Sequence, residues 1–265
     1  MKTVINKIQL AYDDVGDGPP VLLIHGFPLC RKMWTPQAES LTAAGFRVIT
    51  PDLRGFGESE LGQGLPDMDS YADDIIGLMD FLGLETVLVG GMSMGGYVTL
   101  NLLDRFFSRI KAAMFIVTRS EADNPDGKAT RTRLAASVEA GDRDAPVDFF
   151  EEILFAETTP TENPQLVKQV RGWMSATQPS GLIGGLLAMR ERKDYSNQLD
   201  RFQLPVMVIG AEEDRCISPD SSKWMGKFFL ESTLHIIPGA GHMANLEKPK
   251  VFNRHLLDFL QTVSP

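Results

Sequence analysis

Cysteine is scarce in this chain. Only Cys30 and Cys216 occur among 265 residues. Two isolated thiols provide neither a zinc-ligand spacing nor a disulfide framework. Both lie close in sequence to loops singled out below, and a buried, inert thiol is the common use of such a residue. Histidine is limited to four positions. None forms a His-x-x-x-His pair or a carboxylate–histidine cluster, so neither a metal nor another cofactor is expected. Long apolar runs are missing as well. No segment approaches the roughly 18 apolar residues of a membrane span. The opening Met1-Lys2-Thr3-Val4-Ile5-Asn6-Lys7 has no apolar core of signal-peptide length, so a cytoplasmic protein without a membrane partner is expected. Basic charge is in deficit: 26 Lys and Arg face 35 Asp and Glu, for a net charge of −9. That balance argues against nucleic acid, which demands clustered cations.

What is present is an alternation of buried-strand and helix patterns. Val21-Leu22-Leu23-Ile24 is a continuous apolar run, as in a strand covered on both faces. Short strands are expected within 3–12, a helix near 31–44, and a strand at Phe46–Thr50. A helix over 70–82 follows from the spacing of Tyr71, Ile75, Leu78, Met79 and Leu82. A strand at 86–90, a helix at 95–106 and a strand at Ala112–Val117 continue the series. This pattern specifies an α/β fold: a mostly parallel, doubly wound sheet with helices on both faces. The alternation stops at about 119. Residues 119–195 lack a clear buried strand but contain helical pieces at 131–140, 146–155 and 164–174, broken by proline and glycine. Strands resume at 204–210 and 233–237, and a terminal helix is expected over 246–261. The reading is a core domain made of 1–118 and 196–265, with 119–195 as a helical cap over the C-terminal strand ends.

Three loops carry the chemistry. Gly91-Met92-Ser93-Met94-Gly95 falls between the apolar run Val87-Leu88-Val89 and a helix. Strand, Gly-x-Ser-x-Gly, helix is the setting of a nucleophile elbow, where Ser93 sits on a strained turn at a helix N-terminus. Asp214 follows the apolar run Val206–Ile209, and His242 follows Leu234–Ile237 and a glycine-rich loop. Each candidate lies just past a strand C-terminus, where open parallel sheets form their crevice. A serine hydroxyl needs a base, and imidazole, with a usual pKa near 6.5, suits that role. Asp214 would fix its tautomer. The remaining histidines have duller readings: His25 as architecture, His235 as a strand residue, His255 on a solvated helix. Glu212 and Glu213 flank Asp214 and stay open as alternatives. Asp52 and Arg54 are expected to brace a turn, and Ser59 has no base nearby.

Four motifs in this order make the chain resemble the α/β-hydrolase family over nearly its whole length: His25-Gly26-Phe27-Pro28, Asp52-Leu53-Arg54-Gly55-Phe56-Gly57-Glu58-Ser59, the elbow, and Gly239-Ala240-Gly241-His242. The flavour is similar to small esterases, enol-lactonases and cofactor-free haloperoxidase-like members. The resemblance implies an oxyanion hole formed by the backbone N–H groups of Phe27 and Met94. It also implies a further place for the acid, after the preceding strand, at Glu121 or Asp123. Expected substrate-binding residues are Phe27, Trp34, Met92, Phe149, Phe150, Trp173 and Leu186. Arg119, Arg131, Arg133, Arg171 and Arg190 are the cations of the cap that would meet a substrate carboxylate. The implied function is a serine carboxylesterase acting on small or medium esters or lactones through an acyl-enzyme. A carboxylate-directed lactonase or C–C bond hydrolase is one alternative, and a non-turnover receptor on the same fold is another. The expected partner is a small-molecule ester or lactone, and the chain is expected to be a monomer or a homodimer.

Overall fold

The computed structural model describes residues 1–264. The chain opens with a hairpin, β1 (Lys2–Ile5) and β2 (Ile8–Val15), joined through Asn6 and Lys7, both at positive φ. β3 (Pro20–Ile24), α1 (Thr35–Ala43), β4 (Arg47–Pro51), α2 (Met68–Phe81), β5 (Val87–Met92), α3 (Met94–Arg105) and β6 (Ile110–Ile116) follow. Five helices are then inserted: α4 (Pro125–Glu139), α5 (Asp144–Leu154), α6 (Thr159–Glu162), α7 (Pro164–Ala176) and α8 (Pro179–Arg190). The sheet resumes with β7 (Val206–Ala211), α9 (Pro219–Phe228) and β8 (Ser232–Ile237), and the chain ends in α10 (Ala244–Glu247) and α11 (Pro249–Val263).

The eight strands lie in the order β1-β2-β4-β3-β5-β6-β7-β8. All neighbouring pairs from β4 to β8 are parallel, whereas β1–β2 and β2–β4 are antiparallel. Side chains alternate across the sheet. Leu22 and Ile24 of β3 enter one core with α2 and α3, while Val21 and Leu23 enter the other with α1 and α11. The inserted helices share both cores. Leu134 of α4 and Leu186 of α8 join the first, and Leu154 of α5 and Val170 of α7 join the second. Among the described residues, no helix is long and apolar enough to cross a membrane.

Local chemistry sets several element ends. Asp67 caps α2 by accepting from the Ser70 amide at 2.7 Å, and Asn124 caps α4 by accepting from the Gly127 amide at 2.8 Å. Both place an oxygen on an otherwise unpaired helix N–H. Two expected helices are divided. The stretch 31–44 is a 3-10 turn at Arg31–Trp34 followed by α1 with Pro36 in its first turn. The terminal segment is α10 then α11, with Pro249 at the start of the latter. Proline suits a first helical turn but not a helix interior. The sequence pattern does not predict α6, α8 or α9. Gly181, Gly184 and Gly185 lower helix propensity in α8, and it is tertiary contact that holds it.

Candidate active site

The Val87–Met92 strand ends directly at Ser93, which takes φ 53° and ψ −114° before α3 begins. A left-handed conformation at a non-glycine residue costs on the order of 1–3 kcal/mol and persists only where its surroundings over-determine it. They do here. A Cβ at Gly91 would overlap the Gly95 carbonyl, and one at Gly95 would overlap the Ile24 carbonyl. The Ser93 amide donates to the Ile116 carbonyl at 3.0 Å, and the Thr118 hydroxyl donates to the Ser93 carbonyl at 2.8 Å. Held in this way, Ser93 is partly exposed at the wall of a cavity of about 250 Å³.

Asp214 and His242 come from the loops after β7 and β8. Nδ1 of His242 lies 2.8 Å from Oδ2 of Asp214, and both side chains are buried. The second oxygen of Asp214 accepts from the amides of Cys216 at 2.8 Å and Ile217 at 2.9 Å. The carboxylate is therefore fixed by its own loop and offers its other oxygen to the imidazole. This leaves Nε2 of His242 as the free ring nitrogen. The Asp214, Cys216 and His242 ligand atoms lie within 4.8 Å of one another. Oδ1 of Asp214 already accepts from two amides and Oδ2 faces the His242 ring, so hydrogen bonds account for the approach of Asp214 to His242. Burial pushes the Cys216 thiol well above its ordinary pKa, the field of Asp214 adding to this, so it stays protonated.

The loop after β3 abuts the serine: a Cβ on Gly26 would stand 3.3 Å from the Ser93 Cβ. Among the described residues, neither the Phe27 amide nor the Met94 amide donates to a protein acceptor. His25 anchors this loop. One ring nitrogen meets the Gly26 carbonyl at 2.8 Å and the other accepts from the Leu53 amide at 2.9 Å. Burial lowers its pKa, so the ring stays neutral, as the accepting nitrogen requires. The Asp52 turn is also structural. Asp52 accepts from the Arg31 amide and guanidinium and from the Glu58 amide. Arg54 pairs with buried Asp74, and the Ser59 hydroxyl donates to the Asp52 carbonyl at 2.7 Å. His235 and His255 stack with ring centroids 4.0 Å apart, away from Ser93.

Three of the expected pocket residues line the Ser93 cavity: Phe27, Phe149 and Phe150. Four do not, because packing against the sheet or its helices claimed each side chain. Trp34 is fully buried against Phe252 and borders a separate groove of about 500 Å³ with Asp13, Arg31 and Thr50. Met92 points into the core beneath the sheet. Leu186 belongs to the other core, and Trp173 packs on the Met92 side of the sheet. Of the expected cations, Arg119 and Arg131 line the cavity. Arg171 instead pairs with Asp148 and Glu151, and Arg190 with Glu191. Arg133 is exposed. Asp123 meets Arg119, Arg131 and Arg192 rather than a histidine. Glu213 accepts from the Glu157 amide at 3.2 Å and Glu212 from the Gly239 amide at 2.9 Å, so both serve as loop ties. Tyr97, Ile153, Met189, Arg215 and Ile217 also line the cavity. Sequence reasoning missed them; the position of Arg215 and Ile217 beside Asp214 was the only available signal.

Known proteins share the fold that carries this site. A thermophilic esterase from Thermogutta terrifontis superposes with a TM-score of 0.95 at 34% sequence identity, covering 100% of this chain and 99% of that one. An enol-lactonase from Burkholderia xenovorans LB400 gives a TM-score of 0.91 at 23% identity over 98% of this chain and 100% of that one, which speaks to fold alone. The non-heme chloroperoxidase CPO-A1 of Kitasatospora aureofaciens is 27% identical over 97% of this chain and 98% of its own length. Residues 19–249 match the alpha/beta hydrolase fold family, and the chain belongs to that family.

Proposed function

We propose that this protein is a serine hydrolase that cleaves small or medium carboxylic esters or lactones through an acyl-enzyme. The observation that carries the proposal is the strained Ser93 at the cavity wall together with the His242–Asp214 contact of 2.8 Å on the neighbouring strand ends. In this reading Nε2 of His242 takes the Ser93 proton as Oγ attacks the carbonyl carbon, then returns it to the departing alcohol. Water repeats the sequence on the acyl-enzyme. The unpaired Phe27 and Met94 amides receive the oxyanion, each such donor being worth roughly 2.7–4 kcal/mol of barrier. Because these are backbone groups, Phe27→Ala alters pocket shape more than charge stabilisation.

The cavity sets the scale of the acyl group. About 250 Å³ corresponds to roughly eight water volumes of about 30 Å³, which suits a short acyl chain. The test is hydrolysis of p-nitrophenyl esters from acetate to decanoate by wild type and Ser93→Ala. The expected result is an optimum at short chains and loss of turnover by at least about 10⁴-fold in the variant. Equal rates for the two proteins would overturn the role of Ser93. Stoichiometric ester binding without turnover would favour a receptor on the same fold.

A further inference from the structure

The cavity beside Ser93 holds more cationic charge than its own carboxylates neutralise. Arg119, on the loop after β6, and Arg131, on α4, both line it and both grip Asp123, whose side chain is fully buried. Arg192 reaches the same carboxylate at 2.9 Å while lying over the Tyr97 ring at 4.2 Å. Three guanidiniums thus share one carboxylate. Arg215, whose guanidinium donates to the Phe155 carbonyl at 3.3 Å, lines the cavity too. Glu121 acts on Arg119 through its field but does not line the cavity.

The donors left over are well placed for an anion. Arg119 uses Nη2 on Asp123, so its Nη1 makes no hydrogen bond to a protein acceptor among the described residues, while its Nε is buried. Arg131 uses only Nε on Asp123, so both terminal nitrogens, Nη1 and Nη2, are free of protein acceptors among the described residues. A guanidinium offers its donors as a planar fork that matches a carboxylate. Asp123 fixes the two arginines from separate elements, so little side-chain entropy remains to be lost when a ligand arrives. The apolar side of the cavity, with Phe27, Phe149 and Phe150, has room for the chain between the two ends.

We infer that this arginine pair is a carboxylate subsite, and that the preferred substrates are half-esters of short dicarboxylic acids, with the free carboxylate on Arg131 and Arg119 and the ester carbonyl at Ser93. This rests on the hydrolase reading above. The reaction is ordinary acyl transfer. The Ser93 Oγ–acyl bond forms as the ester C–O bond breaks, the alcohol leaves with the proton carried by His242, and water then releases the dicarboxylate.

The test compares monomethyl glutarate with methyl valerate, following acid release at constant pH. In wild type kcat/KM for the half-ester exceeds that for the neutral ester by about tenfold or more, the range of a charge-assisted contact. Arg131→Gln reduces that ratio by about tenfold, and Arg119→Gln lowers it in the same direction. Arg171→Gln, which removes a cation paired outside the cavity, leaves the ratio as in wild type. An unchanged ratio in both Arg131→Gln and Arg119→Gln, with Ser93-dependent turnover intact, would overturn the subsite and leave the hydrolase reading standing. If neither ester is turned over, the hydrolase reading is judged by the p-nitrophenyl series above, and calorimetry of glutarate against Ser93→Ala decides the subsite separately. Glutarate binding that exceeds valerate binding and is lost with Arg131→Gln upholds it. Equal binding of glutarate and valerate overturns it.

Discussion

Asp214 shows how much a single side chain can be asked to do. One oxygen receives two amides of its own loop and the other receives the His242 ring. An asparagine has only one oxygen for these jobs. If it stays on the loop amides, its NH₂ faces Nδ1 and forces the ring into the wrong tautomer. Asp214→Asn is therefore expected to lower kcat by about 10³–10⁴-fold with little change in Tm, as measured by steady-state kinetics beside a melting curve. Near-normal kcat would point to another acid. The two cysteines supply a second expectation. Burial pushes the Cys30 thiol up to about 11 and the Cys216 thiol well above its usual value. The thiolate is the reactive form. A chromogenic disulfide reagent at pH 8 should find no fast-reacting thiol in the native protein and two after denaturation. A fast native reaction at Cys216, the thiol on the cavity wall, would contradict its protonated state.

The inserted helices show how an element can be held against its own propensity. Helix α8 has three glycines that weaken it, yet each meets the core closely. A Cβ on Gly181 would overlap the Gly55 carbonyl, and one on Gly185 would come within 2.8 Å of Phe27 and Phe56. Gly181→Ala gains up to about 1 kcal/mol of helix propensity. It also drives a methyl into backbone that cannot step aside, a cost of about 1–3 kcal/mol. A net loss of stability in chemical denaturation is expected, and a stabilised variant would mean that α8 moves freely on the Gly55 turn. Midway along the insertion, Glu247 accepts from the Ala156 amide and the Thr159 hydroxyl, and it also accepts from the Gly241 amide. One carboxylate thus ties the end of α5 to the loop that carries His242. Glu247→Gln has a single oxygen for three donors. It should cost about 1–3 kcal/mol and speed hydrogen exchange at Ala156 and Gly241, which mass spectrometry would detect at those segments.

For the molecule as a whole, the titrating groups set a direction with pH. Burial lowers the His25 pKa, so below about 6.5 the unfolded chain binds a proton that the folded one refuses. Stability then falls with pH by up to about 1.4 kcal/mol per unit for this one group. Asp123 and Asp104 add to the same trend at lower pH. Burial alone would raise them, but Arg131 and Arg192 hold the Asp123 carboxyl below its usual range, and Lys193 and Arg201 do so for Asp104. Their contribution is present above about pH 4 and is lost as pH falls through their folded values. Tm should decline steadily from pH 7 to 5 and more steeply below 4 in calorimetry. A flat Tm between pH 7 and 5 would show that His25 accepts a proton in place, against the geometry of its two backbone contacts.

The sheet was legible in the sequence because strands buried on both faces must be apolar at every position. Val21–Ile24 and Val206–Ile209 announce themselves in this way. The order of Ser93, Asp214 and His242 was legible because Ser93 and Asp214 follow such runs and His242 follows the more exposed β8 and a glycine-rich loop, and the strand ends bring them to one side of the sheet. The lining of the cavity was not. Trp34, Met92, Trp173 and Leu186 have the right chemistry for a pocket, but packing buried Trp34, Met92 and Leu186 in the core and laid Trp173 against it. The partners of Arg119, Arg131 and Arg192 were equally hidden, since Asp123 gathers them from separate stretches of the chain. Periodicity along the chain reports which face of an element is apolar. Which of those apolar or charged groups meets a void rather than a neighbour is decided only when the elements pack.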